Sequence, residues 1–213
     1  VVMEGDGAVD AVVAANKAGL TAYRAKVFVD YTGDGDVAAR AGAGYALGDE
    51  HGDMQPVSHC FIMSNIAPDY QQQRPEESFA DQAMRDPQFP LIKDWWVKAG
   101  NRIGPNTNGF NAGHLWDVDG CDPADVTRTL IDGRRCAAQH RAALAKYFPA
   151  GFSNAYLAST ASLLGVRETR RVEGDYELTL ADHQARRSFP DEIARNSFFI
   201  DIHNSRREVE HRK

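Results

Sequence analysis

Three groups of residues in this chain have the types and spacing to do chemistry. The first is Thr32-Gly33-Asp34-Gly35-Asp36. Its two glycines let the backbone take positive φ or approach a ligand closely, and its two carboxylates alternate with them. The second is Arg167-Glu168-Thr169-Arg170-Arg171, whose guanidinium groups are always charged and can bind a carboxylate through paired hydrogen bonds. With Glu168 and Glu173 the same arginines could equally form a solvated ion-pair cluster. The third is the alternating run Ile200-Asp201-Ile202-His203. A strand there puts Asp201 and His203 on one face, where the carboxylate can hold an imidazole tautomer for proton transfer or simply form a structural pair.

Other polar groups carry less. His51 and His59, with Asp49 and Asp53, invite a metal, but their spacing supplies no ligand geometry. The expectation is an exposed loop histidine and a packed strand histidine, with no metal site. Gly104-Pro105-Asn106-Thr107-Asn108-Gly109 is turn chemistry, rich in amides that could donate to a substrate.

These groups need elements to hold them. Residues 25–29 form an apolar, β-branched run that predicts a buried strand, and residues 37–43 predict a short helix with Asp36 at its N-cap. A glycine turn between such elements points free N–H groups and a helix dipole at one spot, which is where open α/β sheets place ligands; a plain βα connection is the alternative. Residues 1–30 predict a β-meander, 55–62 a strand, and 156–166 strand or buried turn. Asp122-Pro123 predicts a helix from 122 to 147, with Val126, Leu130, Gly133, Ala137, Arg141 and Leu144 near one face. Arg134, Arg135 and His140 then form a solvated flank. Residues 67–111 are punctuated by prolines, with helical patterns at 76–85 and 91–99 and aromatic packing from Phe89, Trp95 and Trp96. Phe189-Pro190-Asp191-Glu192 predicts a short helix start, and residues 204–213 are charged and unpatterned.

Composition sets outer bounds. A chain of 213 residues with 43% hydrophobic residues can bury a sizeable core. Its net charge of −6 argues against a nucleic-acid partner, which demands a basic footprint. No apolar run reaches the roughly 18 residues of a membrane span, and no leader pattern is visible, so a cytoplasmic location is expected. Three cysteines without CxxC spacing match neither a disulfide framework nor a zinc site.

Four blocks then point one way. Val29 through Thr32-Gly33-Asp34-Gly35-Asp36 to Ala43, Gln55-Pro56-Val57, Gly165-Val166-Arg167-Glu168-Thr169-Arg170-Arg171-Val172 with Gly174-Asp175-Tyr176, and Phe189-Pro190-Asp191-Glu192-Ile193-Ala194-Arg195 with Ile200-Asp201-Ile202-His203 resemble, in that order, the FAD-dependent oxidoreductases of the glutathione-reductase-like superfamily. The resemblance implies an α/β fold: part of an FAD-binding Rossmann-like domain with its β-meander, over residues 1–50, and a substrate or cap region over 51–213 that returns to the FAD domain near its end. It implies that Thr32, Gly33, Asp34, Gly35, Asp36, Arg167 and Arg171 contact FAD, that His203 and Arg170 serve catalysis, and that hydride passes between a small organic substrate and flavin. The family's opening GxGxxG loop does not occur in these residues. That predicts an internal portion of a larger enzyme. The alternatives are a piece that holds no FAD of its own and acts with a complementing chain or as a homo-oligomer, and a metal-dependent hydrolase using His51, His59 and His203.

Overall fold

Val9-Asp10-Ala11-Val12-Val13 favours an extended chain, and Asn16-Lys17-Ala18-Gly19 favours a turn, so a hairpin forms there. In the computed structural model, which describes residues 1–5, 7–94, 100–196 and 198–203, the elements follow in order. They are β1 (Val2–Met3), β2 (Val9–Asn16), β3 (Gly19–Tyr23), α1 (Asp36–Arg40), β4 (Tyr45–Leu47), β5 (Val57–Ser58), β6 (Phe61–Ser64), α2 (Phe79–Arg85), β7 (Asn101–Gly104), β8 (Thr107–Phe110), β9 (His114–Leu115), α3 (Pro123–Tyr147), α4 (Pro149–Phe152), β10 (Tyr156–Thr160), β11 (Arg170–Val172) and α5 (Leu180–Ala185). The chain divides into two units. One joins Val1–Gly48 to Thr169–His203, and the other is Asp49–Glu168. The described strand pairings are antiparallel, so the chain mixes helices with small antiparallel sheets.

In the first unit β1, β2 and β3 form the expected meander, and the Ala18 amide donates to the Asn16 side chain across its turn (2.8 Å). β11 pairs with β4, and α5 opens on a capping box between Thr179 and Asp182. The expected buried strand at 25–29 is not formed. Val27, Val29 and Tyr31 are 74%, 67% and 90% exposed, because no described strand of this unit pairs with that run. Residues 198–203 likewise form no strand; Phe198 and Phe199 stack on each other in solvent (4.4 Å). At the predicted helix start, Glu192 folds back to accept from the Phe189 amide (3.2 Å) and the Ser188 hydroxyl (3.1 Å), giving a turn instead.

The second unit is built on α3 and the sheet β10-β6-β8-β7. Asp122 caps α3 by accepting from the Ala124 amide (2.9 Å), Pro123 occupies the first turn, and the helix stops before Pro149. Its buried stripe is Thr129, Gly133, Cys136, Ala137, His140, Ala143 and Leu144. Gly133 is required by close approach: a Cβ there would lie 2.6 Å from that of His59. His140 belongs to the stripe and not to a solvated flank. One turn after Cys136, its Nδ1–H donates to the Cys136 carbonyl (2.9 Å), so one ring nitrogen is satisfied without water. Phe61, Met63, Phe110, Leu144, Phe148 and Phe152 fill the space between helix and sheet, with Phe61 stacked on Phe110 at 4.8 Å.

The strand expected at 55–62 is broken in two. Ser58 pairs with His114 and Gly165, whereas Phe61 joins β8 and β10, and the change of partners falls at His59-Cys60. His59 is buried with its Nε2 on the Ala161 carbonyl (2.9 Å), and His51 is exposed. The amide-rich turn joins β7 to β8. Asn108 is buried and donates to the Tyr70 hydroxyl (2.9 Å), a packing role. The predicted helix at 76–85 appears as α2. Residues 91–94 of the second pattern are irregular, and Trp95 and Trp96 lie outside the described residues.

Candidate functional site

The glycine turn of the first unit is organised by a residue outside it. Asp30 accepts from the Thr32 amide through Oδ1 and from the Ala38 amide through Oδ2, both at 2.9 Å, and Thr32 Oγ1 accepts from the Asp36 amide (3.0 Å). The Ala38 amide, then that of Thr32, holds the Asp30 carboxyl below its ordinary value. Gly35, left-handed at φ 64°, occupies the N-cap position expected for Asp36, which is instead the first helical residue. Asp30 and Thr32 take up the first donors of α1, so the turn does not present the open anion site expected of a helix start. Asp30→Ala is expected to cost about 1 kcal/mol, the worth of a cap. It should also raise hydrogen exchange at the Thr32 and Ala38 amides; unchanged protection at both would contradict this capping.

Asp34 and Asp36 face the second chemical cluster. The Thr169 hydroxyl donates to Asp34 Oδ1 (2.9 Å), and Arg170 Nη1 donates to the Asp34 carbonyl (3.0 Å) and to Asp36 Oδ1 (2.8 Å). The Arg170 guanidinium also lies over the Tyr45 ring, 5.5 Å from its centroid. Arg170 thus clamps the turn. Arg171 donates to the Gly48 carbonyl (2.6 Å) and fixes the end of β4. His203 sits 3.7 Å from Asp201, so the pair meets without the expected strand.

Arg167 belongs to the second unit and makes different contacts. Its Nε donates to the Pro56 carbonyl (3.0 Å), and its Nη2 to Ser58 Oγ (2.9 Å) and His114 Nε2 (3.3 Å). His114 Nδ1 lies 3.4 Å from the Asp94 carboxylate, and Trp116 meets the His114 ring edge-on at 5.6 Å. The pairing of β5 with β9 sets Ser58 opposite His114, and paired amides between Ser58 and Gly165 (3.1 and 2.7 Å) bring Arg167 alongside. Sequence reading passed over Asp30, Asp94, His114 and Trp116. Asp30 had a local signal, a carboxylate two residues before a Thr-Gly turn. His114 meets Ser58 through strand pairing across 56 residues and Arg167 across 53, Asp94 reaches His114 from twenty residues earlier, and Trp116 follows His114 by two.

With these contacts in view, a family model described as FAD dependent oxidoreductase matches residues 1–213, the whole chain. The chain belongs to the FAD-dependent oxidoreductase family. No curated protein and no solved structure matches it. As a member of that family it is a flavin-linked oxidoreductase by class, and no described helix is long and apolar enough to cross a membrane.

Proposed function

We propose that this chain provides part of the cofactor site and a substrate site of an enzyme that oxidises or reduces a small organic molecule. The full-length family match carries the proposal. FAD, when bound, supplies the two-electron chemistry, hydride passing between substrate carbon and the flavin ring. The turn suits the cofactor's hydroxyl groups better than its phosphates. Asp34 Oδ2 and Asp36 Oδ2 accept no hydrogen bond among the described residues, and none of those residues beyond its own chain neighbours lies within 4 Å of where a Gly33 Cβ would be. Carboxylate acceptors beside open space match ribityl or ribose hydroxyl donors and repel a pyrophosphate.

Thr32, Gly33, Asp34, Gly35 and Asp36 would hold FAD in a Rossmann-like domain, with Arg170 keeping the two carboxylates in place. Arg171 orders the neighbouring strand end, and His203, oriented by Asp201, would exchange the substrate's proton. In a fluorescence titration with FAD, Asp34→Asn is expected to weaken binding on the order of tenfold, the worth of a hydrogen bond to a charged acceptor. Equal affinity for wild type and variant would remove Asp34 from the site.

One observation favours a second reading. Val27, Val29, Tyr31, Ile193, Phe199 and Ile202 leave the first unit with an exposed apolar surface beyond what an isolated soluble surface needs. On that reading the chain is a portion of a larger enzyme, or needs a complementing chain or second copy, and holds FAD only in that company. Titration would then show FAD binding only after the complementing polypeptide is added.

A further inference from the structure

Two side chains of the second unit contact one imidazole, and each carries an N–H without an acceptor among the described residues. Arg167 uses Nε and Nη2, while its Nη1 makes no hydrogen bond among the described residues. The Trp116 Nε1–H is buried and has no partner there either. Both side chains touch His114, Arg167 through its Nη2 on the imidazole Nε2 and Trp116 through its indole ring. An unpaired buried N–H is costly, so such a group calls for an acceptor, supplied by water or by a ligand.

The charges agree. Because Arg167 donates to His114 Nε2, that nitrogen carries no proton, and the ring's N–H is Nδ1–H, facing Asp94. Among the described residues, the carboxylate tied to Arg167 is therefore one imidazole away. Glu168, next in the chain, hydrogen-bonds Gln55 instead (2.8 Å). Ser58, His114 and Asp94 are all buried, which fixes the guanidinium in one orientation. Arginine and indole have donors and no acceptors, so the complementary ligand is an acceptor with negative charge.

We propose that Arg167 and Trp116 form a carboxylate-binding subsite, positioned by Asp94, His114 and Ser58, and that the enzyme's substrate is a small organic acid. This substrate assignment rests on the oxidoreductase function proposed above, whereas binding of the carboxylate does not. The test is isothermal titration of the purified protein with succinate and, as the uncharged counterpart, succinamide, with the flavin spectrum of each sample recorded. Succinate should bind and succinamide should not. Arg167→Gln should weaken succinate binding on the order of tenfold to a hundredfold, consistent with loss of a charge-assisted pair. Trp116→Phe, which keeps an aromatic ring of smaller size and removes the N–H, should weaken succinate binding several-fold while the circular dichroism spectrum of the fold is retained. If Arg167→Gln does not fold, Trp116→Phe decides. Equal binding of succinate and succinamide, or wild-type succinate affinity in Trp116→Phe, overturns the subsite. Flavin absorbance in a sample without carboxylate selectivity would sink the subsite alone, and selectivity in a sample that binds no FAD even with the complementing polypeptide supplied would sink the oxidoreductase function alone.

Discussion

Phe152→Ala is expected to remove about 3–5 kcal/mol from the stability of the unit formed by Asp49–Glu168, as deletion of a buried aromatic ring does. Phe152 has no exposed surface, and three aromatic rings surround it: Tyr70 at 5.5 Å, Phe148 at 5.3 Å and Phe110 at 6.5 Å between centroids. These rings come from the 3₁₀ turn Tyr70–Gln73, the end of α3 and β8, so removing Phe152 opens a cavity where three separate segments meet. Against a typical total of about 5–15 kcal/mol, such a loss leaves a marginal fold. Urea unfolding followed by near-ultraviolet circular dichroism checks it, and a loss below about 1 kcal/mol would show that the site collapses around the gap or was never closed.

Acid should destabilise the same unit through His140. Burial pushes this imidazole down from an ordinary value of 6.5 to about 4, partly offset by the hydrogen bond to Cys136. The unfolded chain therefore takes up the proton first as pH falls. The stabilisation is fully present above pH 6.5 and is lost as pH drops to about 4, amounting to about 3 kcal/mol at 1.36 kcal/mol per pH unit. Chemical denaturation at a series of pH values should show this slope, and His140→Leu, which cannot titrate, should flatten it. An equal slope in both proteins would mean that other groups carry the acid sensitivity. The neighbouring Cys136 thiol, pushed up to about 12 mainly by burial, stays protonated throughout and contributes nothing to this window.

What could be read from the sequence follows from how local each signal is. Asp122-Pro123 declares the start of α3, and Phe148-Pro149 its end, through chemistry within a few residues, and both ends lie where expected. The meander strands were legible for the same reason, since Gly5 and Asn16 to Gly19 mark their turns. His140 was misjudged because polarity alone suggests solvent, whereas its hydrogen bond to the carbonyl one turn earlier makes burial tolerable. The run at residues 25–29 reads as a strand by composition, yet a strand exists only with a partner, and none of the described strands pairs with it. The glycine turn was visible from its residues, but its true cap, Asp30, and its clamp, Arg170, emerged from contacts spanning eight and 134 residues. The Arg167 cluster is the least legible part, because Ser58 and His114 come together through strand pairing and Asp94 reaches His114 from an irregular segment, neither of which a local pattern encodes.

The ultraviolet-visible spectrum of the purified chain after incubation with FAD and removal of the excess tests the central claim most directly. Retained visible absorbance of bound flavin, at about one equivalent, is the predicted result, with loss of part of that flavin in Asp34→Asn. A colourless protein, both alone and with every complementing polypeptide supplied, would contradict the claim that Thr32 to Asp36 forms part of an FAD site.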